Sequence, residues 1–128
     1  MLAILLPDEA VSIEAFIELL HEDIVVPAHC ATEVGNGLLV AHRRGRITRD
    51  EMMAILSDTA AFRVDIDMRE RFGVAAGAIE LALAHKLTVY GAAYLELARR
   101  RRLPLATFDG ALRAAAVSEG VSLFETQS

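Results

Sequence analysis

Two acids in this 128-residue chain occupy comparable places: Glu33, just after "IVVPAHC", and Asp109, directly after "LPLATF". Each follows a short apolar run of buried-strand type and stands where a helix should begin. In sheets of parallel strands the carboxyl ends gather on one rim, and ligand chemistry collects there. Carboxylates brought together at such a rim suit a hard divalent ion, Mg2+ or Mn2+, which takes oxygen ligands and keeps several waters. Each acid also has a purely structural explanation. Glu33 in a first helical turn complements the helix dipole, and Asp109 before "GALRAAA" is an N-cap.

The elements that must position these acids can be read from periodicity. Ser12 caps an amphipathic helix carrying Ile13, Phe16, Ile17 and Leu20, and "DIVVPAHC" supplies a strand through Ile24, Val25 and Val26. A helix with Val34, Leu38 and Ala41 on one face follows and closes at Gly45. Thr48 and Glu51 form a capping box for the next helix, whose Met52, Met53 and Leu56 offer an adaptable partner or dimer surface. "FRVDID" alternates as a half-exposed strand with Phe62, Val64 and Ile66 against acids, and Asp65 and Asp67 read as acids at the start of the helix that follows. Two helices, "MRERFGVAAGAIELALAHK" and "LTVYGAAYLELARRRR", precede a buried strand "LPLATFD", a helix "GALRAAAVSEG" and a last strand "VSLFE". Strands recurring between helices predict one α/β domain over residues 1–128 with a mostly parallel sheet.

Composition narrows the function classes. With 54% apolar and 24% charged residues the chain is a well-packed globular domain rather than a disordered one. The net charge of −5 argues against a surface coated with nucleic acid, although arginine clusters still offer local phosphate contacts. No apolar run is long enough to span a membrane, and the apolar opening "MLAILLPDEA" lacks the basic leader of a signal peptide, which predicts a cytoplasmic protein. His29 and Cys30 beside Glu33 lack the CxxC or HxxxH partner pair that zinc requires, and Cys30 reads as a small buried hydrophobe. Tyr90 and Tyr94 share a helical face, the spacing of core or dimer packing rather than of a base-stacking platform. Arg43 and Arg44, like Arg99 and Arg100, end predicted helices and complement their dipoles; as functional residues they would contact RNA phosphates or an acidic partner. Gly91 is the anomaly. It costs roughly 1 kcal/mol against Ala in a helix start where no left-handed turn is called for.

Taken in order, "LLPDEA", "VVPAHCATEVGNGL", "RRGRIT", "LTVYGAAYLELA" and "LPLATFDGAL" resemble the PIN domain of VapC-type toxins from bacterial toxin-antitoxin pairs, over essentially the whole chain. The resemblance implies a three-layer α/β/α sandwich and a Mg2+- or Mn2+-dependent ribonuclease, homodimeric, with a VapB-like antitoxin as partner and RNA as substrate. It places metal-binding and catalytic carboxylates at Glu33, in "EVGNGL" with Asn36 in support, and at Asp109, in "TFDGAL" with Thr107 holding the cluster. The helix that supplies a further Asp in the family has Gly91 at that position. The family's N-terminal strand and its Asp fall before Met1, so the expected fold lacks that central strand. Either the flanking strands pair directly or strands exchange in a dimer. With two of the acidic positions lost, the resemblance implies impaired hydrolysis, or a binding module that dimerises or holds an antitoxin-type peptide without cutting.

Overall fold

A computed structural model describes residues 2–4, 23–60, 64–68 and 72–124. Its element order is β1 (Leu2–Ile4), β2 (Ile24–Pro27), α1 (Cys30–Arg43), α2 (Arg49–Ala60), β3 (Val64–Asp67), α3 (Phe72–His85), α4 (Val89–Arg101), β4 (Leu105–Ala106) and α5 (Gly110–Ser118). The four strands form one sheet in the order β3-β2-β1-β4, and every pairing is parallel. The α/β organisation with a parallel sheet is therefore as the periodicity predicts. The helix expected behind Ser12 lies outside the described residues.

The expectation of a missing central strand is corrected. Leu2–Ile4 fills that place, with Leu2 opposite Ile24, Ala3 opposite both Val25 and Leu105, and Ile4 opposite Ala106. The reason is the backbone. Between β2 and β4 two rows of N–H and C=O groups face one another, and buried main-chain groups require partners. An apolar segment satisfies both rows at once, which removes the need for direct pairing of β2 with β4 or for strand exchange. The expected last strand is reduced to a parallel bridge at Leu123, held by Leu105 N–H to Ser122 O (2.8 Å) and Phe124 N–H to Leu105 O (2.9 Å).

The helix boundaries follow local chemistry. Thr48 and Glu51 form the reciprocal capping box of α2: the Thr48 N–H donates to Glu51 Oε1 and the Glu51 N–H to Thr48 Oγ1, both at 3.1 Å. Thr88 caps α4 by accepting the Gly91 N–H at 3.1 Å. Gly45 and Gly120, each at φ +72°, carry the left-handed turns that follow α1 and α5.

Helix α4 is the hub of the packing. It contacts β1, β2 and β4 as well as α3 and α5, and it buries Ala92, Tyr94, Leu95, Leu97 and Ala98 against core residues that include Val25, Leu105 and Leu112. One end of this contact is ionic. Arg100 donates to Asp67 Oδ2 (2.6 Å) and, through Nε, to Glu96 Oε1 (2.7 Å), with longer contacts to the second oxygen of each. Both carboxylates hold the guanidinium well above its ordinary pKa, Glu96 contributing most.

This clamp reverses the expected alternation at the end of β3, while Val64 packs against the core and Asp65 is exposed as the pattern predicts. Asp67 is 8% exposed and Ile66 50% exposed, the opposite of the alternation in which Ile66 faces the core. A carboxylate that finds an arginine inside outweighs one apolar side chain left at the sheet edge. Asp67 is thus an internal ion-pair partner rather than a helix-starting acid. Arg100→Ala, which strands two nearly buried carboxylates, is expected to destabilise the fold by about 2–4 kcal/mol in urea titration. Asp67→Asn, which retains a hydrogen-bond acceptor, is expected to cost less.

Candidate functional site

The rim at the carboxyl ends of β2 and β4 is where the two singled-out acids emerge. Both strands adjoin β1, so these ends stand roughly 10 Å apart across it. No acid belongs to β1 itself, whose last residue is Ile4.

On the β2 side, Glu33 lies in the first turn of α1, and α4 approaches it with its own first turns. The buried Tyr94 hydroxyl donates to Glu33 Oε1 at 2.8 Å. His29 Nε2 lies 3.0 Å from the same oxygen. The His29 ring meets Tyr94 edge to face at 5.4 Å and Tyr90 at 5.5 Å. His29, Glu33, Tyr90 and Tyr94 therefore form one cluster. The sequence holds a signal for it: Glu33 is four residues after His29 and Tyr94 four after Tyr90, so two helix starts each present a pair on one face. What it lacks is any sign that the two pairs meet. Tyr94 is part of the core, as that spacing suggests, whereas Tyr90 is 65% exposed on the single chain.

Cys30 is buried under this cluster. Burial pushes its thiol pKa up, a hydrogen bond with Tyr94 opposes that, and the Glu33 charge adds to it. Its burial fits the small-hydrophobe reading of its sequence context. The Tyr94 hydroxyl is raised in the same sense, first by burial and then by Cys30 and Glu33.

On the β4 side, exposed Asp109 caps α5 by accepting the Ala111 N–H at 3.3 Å. Buried Thr107 holds this turn: its hydroxyl accepts the Asp109 N–H at 3.1 Å, and its carbonyl accepts from Arg113 at 3.0 Å. Thr107 thus supports Asp109 through the backbone. Asn36, one turn beyond Glu33, is exposed. Gly91 lies in the first turn of α4 beside Tyr90. A Cβ added there would meet Thr88 Oγ1 at 3.4 Å, and the backbone φ is not in the left-handed range. Neither packing nor conformation requires a glycine.

The four arginines singled out as possible phosphate contacts stand apart from this rim. Exposed Arg43 and Arg44 end α1, and exposed Arg99 with part-buried Arg100 ends α4, about 14–16 Å along each helix from Glu33 and Tyr90 respectively. Arg99 contacts Glu119 at 3.4 Å, which also receives His85 Nε2 at 2.8 Å, and Arg100 is engaged by Asp67 and Glu96.

Among the described residues no three His, Cys, Asp or Glu side chains converge. One Glu33 oxygen is already engaged by Tyr94 and one Asp109 oxygen by the α5 cap. Each carboxylate keeps a second oxygen, so Glu33 and Asp109 would supply one oxygen apiece to a Mg2+ or Mn2+ ion, with water completing most of its shell.

No protein-family description matches the chain, and no curated protein sequence matches it. The fold is similar to the crystal structure of PAE2754 from Pyrobaculum aerophilum: the likeness covers 80% of this chain and 74% of that one at a TM-score of 0.65, with 20% sequence identity. A likeness at that identity concerns the fold. No described helix is long and apolar enough to cross a membrane.

The buried Cys30 and Tyr94 give the fold an alkaline limit. A raised folded-state pKa means that the unfolded chain releases these protons first, from ordinary values of 9.0 and 10.0. Their contribution is full below about pH 9 and is lost as pH rises further. The melting temperature is expected to fall between pH 9 and 11, and Cys30→Ala should remove the earlier part of that fall.

Proposed function

We propose that this chain is a VapC-like protein with a PIN-type α/β/α fold whose ribonuclease centre is depleted, leaving hydrolysis impaired. The observation that carries this reading is the meeting of two helix starts at the strand-end rim, with Glu33 from α1 and the Gly91 turn of α4 on one side of β1 and Asp109 on the other. These are three of the positions at which the resemblance sets acids, and one of them is glycine. Thr107 supports the reading because it fixes the turn bearing Asp109. RNA, cytoplasmic location, a VapB-like antitoxin and a homodimer come with this proposal from the resemblance, as does any use of Mg2+ or Mn2+.

A second reading, a non-cutting module that dimerises or binds an antitoxin-type peptide, is favoured by one observation. Met53 and Leu56 are exposed on α2, in keeping with the adaptable surface expected there. Copurification with the product of a neighbouring gene tests this, and its absence would remove the support.

For the ribonuclease reading, slow Mn2+-stimulated cleavage of a structured RNA is expected from the wild type and not from Glu33→Gln. Equal background from both proteins overturns it. Gly91→Asp places an acid where helix polarity favours one and adds a carboxylate at the rim. It is expected to tighten Mn2+ binding by about tenfold or more in calorimetry without bringing full activity, since β1 contributes no acid.

A further inference from the structure

Tyr90 is the feature of the rim that neither the carboxylates nor the fold accounts for. Its helical partner Tyr94 is fully buried, with its hydroxyl spent on Glu33, whereas Tyr90 is 65% exposed. The exposed ring is nonetheless braced. His29 meets it at 5.5 Å with an interplanar angle of 64°, and His29 is itself set against Tyr94 at 84°. Thr88 caps the same turn by holding the Gly91 N–H, which anchors the backbone beside the ring. An aromatic surface fixed in advance costs little ordering entropy on binding.

We propose that Tyr90 is a stacking platform for an unpaired nucleobase of single-stranded RNA. The inference rests on the ribonuclease-fold reading for its ligand class, and it assigns this residue a role of its own. Charge supports recognition through the base. Glu33 and Asp109 repel phosphate, the chain carries a net charge of −5, and the arginine-rich end of α4 lies about 14 Å along the helix from Tyr90. Stacking on a π face needs no positive charge and tolerates any base, so it is the attraction that this part of the surface offers. A duplex, whose bases are already stacked on one another, gains nothing from it.

Binding of a fluorescently labelled twelve-nucleotide single-stranded RNA, and of the same sequence as a duplex, tests the proposal by anisotropy in EDTA, where metal-dependent cleavage does not intervene. Tyr90→Ala is expected to weaken single-strand binding about tenfold, with Tyr90→Phe close to wild type and duplex binding unchanged. The chain has no Trp and two Tyr, so tyrosine emission gives an independent readout in the unaltered protein. Unlabelled single-stranded RNA should quench it, and Tyr90→Phe should abolish the quenching. Circular dichroism checks that the variants fold, and the wild-type quenching stands whether or not Tyr90→Ala does. The proposal is overturned if Tyr90→Ala binds within twofold of wild type, if Tyr90→Phe loses as much as Tyr90→Ala, or if the wild type binds no single-stranded RNA. Cleavage is scored separately with Mn2+. Tyr90-dependent binding without cleavage sinks the hydrolytic reading and leaves the platform, while Glu33-dependent cleavage indifferent to Tyr90 does the reverse.

Discussion

The hydrogen bond from the buried Tyr94 hydroxyl to Glu33 ties α4 to the start of α1, and through it to the end of β2. A second tie, from Arg100 to Asp67 at the end of β3, fixes the last turns of the same helix. Between these two polar anchors α4 lays an apolar face across β1, β2 and β4. Buried polar groups of this kind are costly unless fully partnered, so each anchor restricts the helix to one rotation and one depth. The rim cluster of His29, Glu33 and Tyr90 exists because that rotation is set.

The same constraint explains why Glu33 serves structure and chemistry in competition. An oxygen that accepts from Tyr94 and faces His29 is oriented, which favours precise placement of the other oxygen, but it is also committed. Asp109 is committed in a similar way to the first turn of α5. Such dual use suits a surface that recognises more readily than it reacts.

Much of this was legible in the residues. The capping box of Thr48 and Glu51, the glycine turns at Gly45 and Gly120, the helix start at Asp109, and the apolar run of β2 are local signals, settled within a few positions of chain. What escaped was non-local. Nothing in "VDID" reveals that an arginine thirty-three positions away will turn Asp67 inward and Ile66 outward. The apolar run at Leu2–Ile4 is equally compatible with a helix or a strand, and only the backbone demands of its two neighbours select a strand. The rim acids were visible as types and positions, while the aromatic pair beside them was recognisable only as a spacing.

The three residues of β1 also set an order of events. Their partners on one side, in β2, come early in the chain, but on the other side Ala3 pairs with Leu105, about one hundred positions later. The sheet therefore cannot close on a ribosome until nearly all of the described chain has emerged, and until then β1 presents an unsatisfied edge. Closure of so distant a pairing is slow, so completion of the sheet waits on the arrival of β4.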